Sequence, residues 1–373
     1  MDGKRIIGGI RMKKTALIYC ENNFGDMDGK TANGLIRTSG KYEIVGVIDS
    51  TKAGMDSGEF LEGANNGIPI FESMENALQK LKQVPNQFIY GIAPADAFLK
   101  ETEREIILQA MKQGMNIVNP MHEFLTEDEE FMTSAAKYRV HIEDVRMPPL
   151  KKDLHLFSGR ILHIHTPIVA VLGTDGAVGK RTTSVILESA LRDKGLTVAF
   201  IATGQTGLIQ GAKYGVAIDA IPSQYITGEI ENEIMKAHDE ENPDIIIVEG
   251  QGALSHPAYI SSSGILKGSR PGAVIVQHPP KRKNLGDFPF MPMPTIKSEI
   301  ELIEGFSNSK VVGITINHEN MSDKEINNVV AEYELQLGLP TTDVLKHGSE
   351  KLVESIFEIF PSLAIKQKKV LVN

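Results

Sequence analysis

The stretch VAVLGTDGAVGKRTTSVILE, Val169–Glu188, decides the reading of this chain. Its first half continues the run PIVAVLG, apolar without alternation, as a parallel strand buried on both faces requires. Its second half carries apolar pairs at helical spacing, Ile186 with Ala190 and Leu187 with Leu191. Gly195, directly after Lys194, is expected to close that helix in the left-handed conformation. Between strand and helix lies a glycine-rich turn. A helix start leaves several backbone N–H groups unpaired, and the helix dipole adds positive potential there. Gly176 and Gly179 let the backbone wrap closely around phosphate oxygens, and Lys180 adds a full charge. The turn is read as a phosphate loop, with Gly173, Thr174, Gly176, Ala177, Val178, Gly179, Lys180, Arg181, Thr182 and Thr183 as cofactor-binding candidates.

The loop departs from the G-x-x-x-x-G-K-[ST] pattern at two places. Thr174 stands at the first glycine position, and Arg181 stands where a magnesium-binding hydroxyl follows the lysine. Thr182 comes next, but one helical step turns a side chain by roughly 100°. Arg181 is permanently charged and offers a planar fork of donors suited to phosphate. The expectation is a loop less dependent on metal than that of an ATPase. No metal is expected; if one is present, Glu249 and Thr182 are its candidate ligands. Asp175 either bonds neighbouring backbone to shape the turn or faces a metal or substrate.

The rest of the second half supplies further strands at TVAFIATG, DIIIVEG, GAVIVQH and VVGITIN. Glu249 ends one of them, at the carboxyl edge where an α/β sheet forms its ligand crevice. It is the first candidate for a catalytic base, with metal binding and loop capping as other roles. His256, in the nearby SHP turn, is the second candidate, and Asp175 completes the catalytic set. Thr203, Gly204, Gln205, Thr206 and Gly207 at ATGQTG, together with Gln251, are read as substrate-binding. Asn317 follows GITI at the same edge and joins the cofactor-binding set. KRK at Lys281–Lys283 reads as a solvated loop that could also meet an anionic ligand.

From Lys14 to about Pro149, short β-rich runs alternate with helical segments: TALIYC, GKTANGLIR, YEIVGVIDS, MENALQKLKQ, QFIYGIA, ETEREIILQAMKQG and MNIVNP. Strands separated by helices of this length imply right-handed crossovers and a parallel sheet. The prolines of RMPPLKKDLHLFSGR mark a boundary. The predicted architecture is α/β: a tail over 1–12, a Rossmann-like domain over 13–149 and a P-loop NTPase-like domain with a mostly parallel sheet over 150–373. Asp49 ends the second strand, where a dinucleotide fold bonds a ribose. The first turn, ENNFGDMDGKT, lacks the glycine fingerprint, so NAD is not expected. Phe24 stands at the first-glycine position of the loop-like DGKT, which reads as a polar helix start.

The chain has 373 residues, 41% of them apolar, and a formal net charge of −9. That charge disfavours nucleic acid and anionic membranes as partners. No apolar run reaches the roughly 20 residues of a membrane span, and the N-terminus has no apolar segment of signal-peptide type. Cys20 is the sole cysteine, so no internal disulfide forms; it reads as a buried strand residue in a cytoplasmic protein. Met12 could be the natural start.

At GTDGAVGKRTTS, ATGQTG and VEGQGALSHP, and through GKTANGLIR, IVGVIDS and VHIEDVR in the first half, the chain resembles the D-glutamate N-acetyltransferase family, long catalogued as a P-loop domain of unknown function. The second half is more distantly similar to dethiobiotin synthetase, which has a threonine at the position of Arg181. The first resemblance implies acetyl-CoA as donor and the α-amine of a D-amino acid, notably D-glutamate, as acceptor. The first domain, without a dinucleotide fingerprint, is left to help bind the acceptor or to mediate assembly, and a homo-oligomer is a candidate partner state. The second implies ATP with magnesium and the joining of a carboxyl group to an amine. A third reading is a nucleotide-binding regulator without turnover.

Overall fold

A computed structural model describes residues 13–93 and 98–364. The expected tail, residues 1–12, lies outside them. The chain separates into two compact units, residues 1–147 and 148–373, with Ile209–Gly211 grouped with the first. Each unit is built on its own all-parallel sheet. Among the described residues no helix is long and apolar enough to cross a membrane.

In the first unit the elements run β1 (Lys14–Tyr19), α1 (Lys30–Arg37), β2 (Tyr42–Ile48), α2 (Ser57–Glu62), β3 (Ile70–Phe71), α3 (Met74–Lys80), β4 (Gln87–Tyr90), α4 (Glu101–Lys112), β5 (Asn116–Asn119), α5 (Glu129–Tyr138) and β6 (Ile142–Asp144). The strand order is β3-β2-β1-β4-β5-β6, the order that two right-handed βαβαβ halves produce in a Rossmann fold. Helix starts follow local chemistry. Asp56 accepts N–H bonds from Gly58 and Glu59, Ser73 from Asn76 and Asp128 from Glu130 and Phe131, each filling part of the deficit at a helix N-terminus. Asp49 is buried at the end of β2 and accepts the Phe24 N–H at 3.0 Å and the Thr51 N–H at 3.0 Å. Its carboxylate is occupied in shaping these turns. Cys20 is buried directly after β1.

The second unit continues with β7 (Ile168–Gly173), α6 (Lys180–Asp193), β8 (Val198–Ala202), α7 (Gln205–Gln210), β9 (Tyr214–Gly215), α8 (Ser223–Glu241), β10 (Ile245–Glu249), α9 (Ser261–Ser269), β11 (Ala273–His278), α10 (Ile296–Phe306), β12 (Lys310–Ile316), α11 (Asp323–Leu337), β13 (Thr341–Thr342) and α12 (Glu350–Ile359). Its order is β13-β12-β11-β7-β10-β8-β9. The central strand β7 shows why the apolar run does not alternate. Ile168, Ala170 and Leu172 enter one core with Ile230 of α8, Ile265 of α9 and Ile303 of α10. Val169 and Val171 enter the other with Leu187 and Leu191 of α6 and Ile356 of α12. Successive strand side chains point to opposite faces, and here both faces are covered. Gly195 has φ +83° just past α6, as expected of a left-handed stop.

Candidate functional site

The carboxyl ends of β7, β8, β10, β11 and β12 bring together Thr174, Thr203, Glu249, His278 and Asn317, all in the second unit. The turn from Thr174 to Gly179 is the centre of this edge. Ala177 has φ +49° and Gly179 φ +106°; such left-handed residues bend a short backbone run into a concave nest. Glycine takes that conformation without strain, whereas Ala177 needs support from its surroundings.

That support comes from outside the loop. The Arg282 guanidinium donates to the Gly176 carbonyl at 3.0 Å and the Ala177 carbonyl at 3.5 Å. The Asn317 side-chain amide donates to the Val178 carbonyl at 3.0 Å. Three successive carbonyls are therefore turned outward. In a trans peptide C=O and N–H point in opposite directions, so the N–H groups of Ala177, Val178 and Gly179 face the concave side. Lys180 reaches back across it, its Nζ donating to the Asp175 carbonyl at 2.5 Å.

Asp175 is 1% exposed and is a shaper of this turn. Its Oδ1 accepts the Gly176 N–H at 2.7 Å, and its Oδ2 accepts the Gly286 N–H at 2.8 Å and an Arg282 N–H at 2.9 Å. Its carboxylate is thus committed to backbone N–H groups and to Arg282. Thr174 and Thr183, read from the sequence as cofactor contacts, lie beneath the loop with no exposed surface. The Thr174 Oγ1 is 2.8 Å from His278 Nδ1, and the Thr183 Oγ1 donates to Gln277 Oε1 at 2.5 Å. Gly173 likewise lies buried at the end of β7. Gly176, Ala177, Gly179, Arg181 and Thr182 keep partial exposure.

Glu249 closes β10 and is buried. Its Oε2 accepts the Thr203 N–H at 3.2 Å, and its Oε1 lies 4.0 Å from Arg181 Nε. Burial pushes its carboxyl above the ordinary range, with Arg181 and the Thr203 N–H opposing. Burial also works against the charge of Arg181, and Glu249 counters it. The Arg181 Nε and Nη1 are buried without a hydrogen-bond partner among the described residues, and the guanidinium carbon lies 5.9 Å from the centre of the Phe200 ring.

ATGQTG is more ordered than a strand end. Gln205 opens helix α7, which carries Thr206 and Gly207. Gly207 permits a close approach, since a Cβ there would lie 2.9 Å from Glu249 Oε2 and 2.5 Å from the Ala202 Cβ. Gln251 ties the β8 and β10 loops together, its Nε2 donating to the Thr203 carbonyl at 2.6 Å. Gly204 lies beside it, 3.6 Å separating the Gln251 Nε2 from a Cβ placed there.

His256 lies enclosed beside the loop, with its Nε2 buried and without a hydrogen-bond partner among the described residues. Its side chain has no exposed surface. The ring stacks on Tyr259 at 4.3 Å and tilts against Phe288 at 5.7 Å. Its Nδ1 accepts the Ala258 N–H at 3.2 Å, which assigns the proton to Nε2, 3.8 Å from Asp175 Oδ1. It braces the loop from behind. Burial lowers the pKa of this ring.

The solvated loop expected at KRK after β11 does not hold for Arg282. That side chain is 13% exposed and also pairs with Glu319 at 2.8 Å. Together with Gly286 and Phe288 it makes a strap fastened to the phosphate loop and to His256. The signal available in the sequence is the single arginine between lysines, whose loop partners lie over a hundred residues earlier. Among the described residues no group of three or more His, Cys, Asp or Glu side chains is arranged to hold a metal ion.

Comparison with known proteins accords with this arrangement. Residues 155–353 match a domain of unknown function, DUF1611_C, described as a P-loop domain, and residues 50–148 match DUF1611_N, described as Rossmann-like. A protein of Pseudoalteromonas sp. named D-glutamate N-acetyltransferase is 32% identical over 276 residues, covering 72% of this chain and 80% of its own length. One of the same name from Tritonibacter scottomollicae is 26% identical over 305 residues, covering 79% and 86%. The crystal structure of a DUF1611 protein from Anabaena variabilis superposes with a TM-score of 0.84 at 29% identity, covering 93% of this chain and all of that one. Sequence match, domain order and fold agree: the chain belongs to the DUF1611 family, with a Rossmann-like first domain and a P-loop second domain.

Proposed function

We propose that this protein transfers an acetyl group from acetyl-CoA to the α-amine of a D-amino acid, D-glutamate foremost, and that the loop after β7 holds phosphates of the donor. The observation that carries the reading is the outward fixing of the Gly176, Ala177 and Val178 carbonyls by Arg282 and Asn317. It leaves inward-facing amides beside Lys180, a cradle for a pyrophosphate or a ribose phosphate. The names of the two relatives support the acyl-transfer chemistry and the choice of acceptor.

The reaction requires a neutral amine. Glu249, held above the ordinary carboxyl range by burial, suits the removal of one proton from the acceptor ammonium at neutral pH. The amine nitrogen then attacks the thioester carbon. Backbone N–H groups of the Gly250–Gly252 turn are the candidates for stabilising the resulting oxyanion. Collapse breaks the carbon–sulfur bond, the nitrogen of the adduct gives up its second proton to the departing thiolate, and the first proton leaves Glu249 for solvent, giving the N-acetyl amino acid and free CoA. The α7 start, Thr203 to Gly207, and Gln251 border the place of attack next to Glu249.

The reading is tested by supplying labelled acetyl-CoA with a panel of D- and L-amino acids and following label into product. Transfer to a D-amino acid supports it. Absence of transfer to every acceptor, or phosphate release from magnesium-ATP that depends on an amine acceptor, overturns it.

A further inference from the structure

P-loop domains that bind magnesium nucleotides hold the ion between the hydroxyl following the loop lysine and an acidic residue at a strand end. In this chain those positions carry Arg181 and Glu249, and they face each other, Arg181 Nε lying 4.0 Å from Glu249 Oε1. The pair does not fit the ion. Magnesium needs several oxygen ligands in near-octahedral array, and here one of the two places holds a positive charge instead. The adjacent hydroxyl of Thr182 is rotated by roughly 100° around the helix.

We infer that Arg181 stands in the place of the metal, so that phosphates held by the loop are neutralised by a cation belonging to the chain and bind without a divalent ion. The inference rests on the reading that the loop holds donor phosphates. Three observations carry it. Arg181 is the residue next to Lys180 at the start of α6, and its side chain is 16% exposed. Its Nε and Nη1 are buried with no acceptor among the described residues, and a phosphate oxygen is the acceptor that the neighbouring nest would bring. Its position is fixed on one side by Glu249 and on another by the Phe200 ring. Glu249 thereby balances the arginine when the loop is empty. The class of ligand follows: a phosphate ester or pyrophosphate presented free of metal, as in a coenzyme A, rather than a triphosphate whose charge arrives half-neutralised by magnesium.

The test is calorimetric binding of acetyl-CoA to the full chain, in EDTA and in excess magnesium, for the wild type, Arg181→Thr, Arg181→Lys and Lys180→Ala. Wild type is expected to bind equally in both. Arg181→Thr is expected to bind about tenfold weaker or worse in EDTA, a loss of about 1.4 kcal/mol or more, and to recover with magnesium, because threonine restores the ligand position and frees Glu249. Arg181→Lys keeps the charge and is expected to remain independent of metal. It decides the matter if Arg181→Thr fails to fold, since a magnesium requirement in it overturns the inference. A magnesium requirement in the wild type overturns it too. So does full affinity of Arg181→Thr in EDTA, or a weakened Arg181→Thr that magnesium does not improve. If Lys180→Ala binds like the wild type, the loop reading itself falls and takes this inference with it; if Lys180→Ala is crippled and Arg181→Thr is not, this inference alone falls.

Discussion

Arg282 Nη1 donates to Asp175 Oδ2 at 2.9 Å, so a residue of the strap after β11 holds the loop after β7 through a largely buried ion pair. The same guanidinium reaches the carbonyls of Gly176 and Ala177. On the proposed reading it is a positioning residue for the phosphate cradle. Breaking one partner of a buried pair leaves the other uncompensated, at a cost of about 3 kcal/mol. Arg282→Gln is therefore expected to lower the stability measured by chemical denaturation by about that amount. It should raise KM for acetyl-CoA more than it lowers kcat. An unchanged KM for the donor would show that the carbonyls keep their orientation without Arg282.

Glu249 and Lys180 should separate by experiment into turnover and binding. Lys180→Ala is expected to abolish donor binding, and Glu249→Gln to keep it while slowing turnover by about a hundredfold or more, as loss of a general base does. The pH profile carries the sign. A base acts deprotonated, and burial raises this carboxyl, so kcat should fall with acidification along a limb displaced upward from the ordinary glutamate range. Glu249→Gln should lack that limb. A limb that survives in Glu249→Gln assigns the base elsewhere.

We expect His256 to support the fold rather than the chemistry. Its ring is enclosed by Tyr259 and Phe288 and reaches no solvent. His256→Ala is expected to destabilise by about 2 kcal/mol through lost packing, with kcat of the folded fraction near the wild-type value. A loss of several orders of magnitude in kcat without loss of stability would return His256 to the catalytic set.

His278 predicts acid sensitivity. Burial, with Arg282 adding to it, holds its imidazole down to about 4 from an ordinary 6.5, and Nδ1 is bonded to Thr174 Oγ1. The unfolded chain then binds more protons than the folded one between these values. The contribution to stability is complete above about pH 6.5 and declines as pH falls towards 4, reaching ~3 kcal/mol of loss. Urea titrations across this range should show a shallower pH dependence for His278→Gln than for the wild type. Equal slopes would place the acid-labile group elsewhere.

Much of this architecture was legible because it depends on local pattern. The unbroken apolar run of β7, the helical pairs of α6 and the stop at Gly195 each state their structure within a few residues. β3, β9 and β13 were not legible, being two residues long and defined only by the neighbour strand that pairs with them. α7 was hidden because its glycine and threonine residues read as loop, while the approach of Glu249 to Gly207 explains the glycine. The site divides in the same way. Lys180 and Glu249 follow from their places at a loop and a strand end. The roles of Arg282, Gln277 and His278 depend on partners about a hundred positions away, and nothing near them in sequence announces those partners.

The central position of β7 also governs when the cradle comes into existence. Its two lateral partners, β10 and β11, begin at Ile245 and Ala273, far downstream of the loop they flank. During synthesis the apolar strand β7 therefore has no strand partner until β10 has been made and lacks its second until β11 has, with the Arg282 strap following last. Truncations ending before that residue should be bound by chaperones or aggregate, while the unit becomes protease-resistant only once its late strands have been delivered.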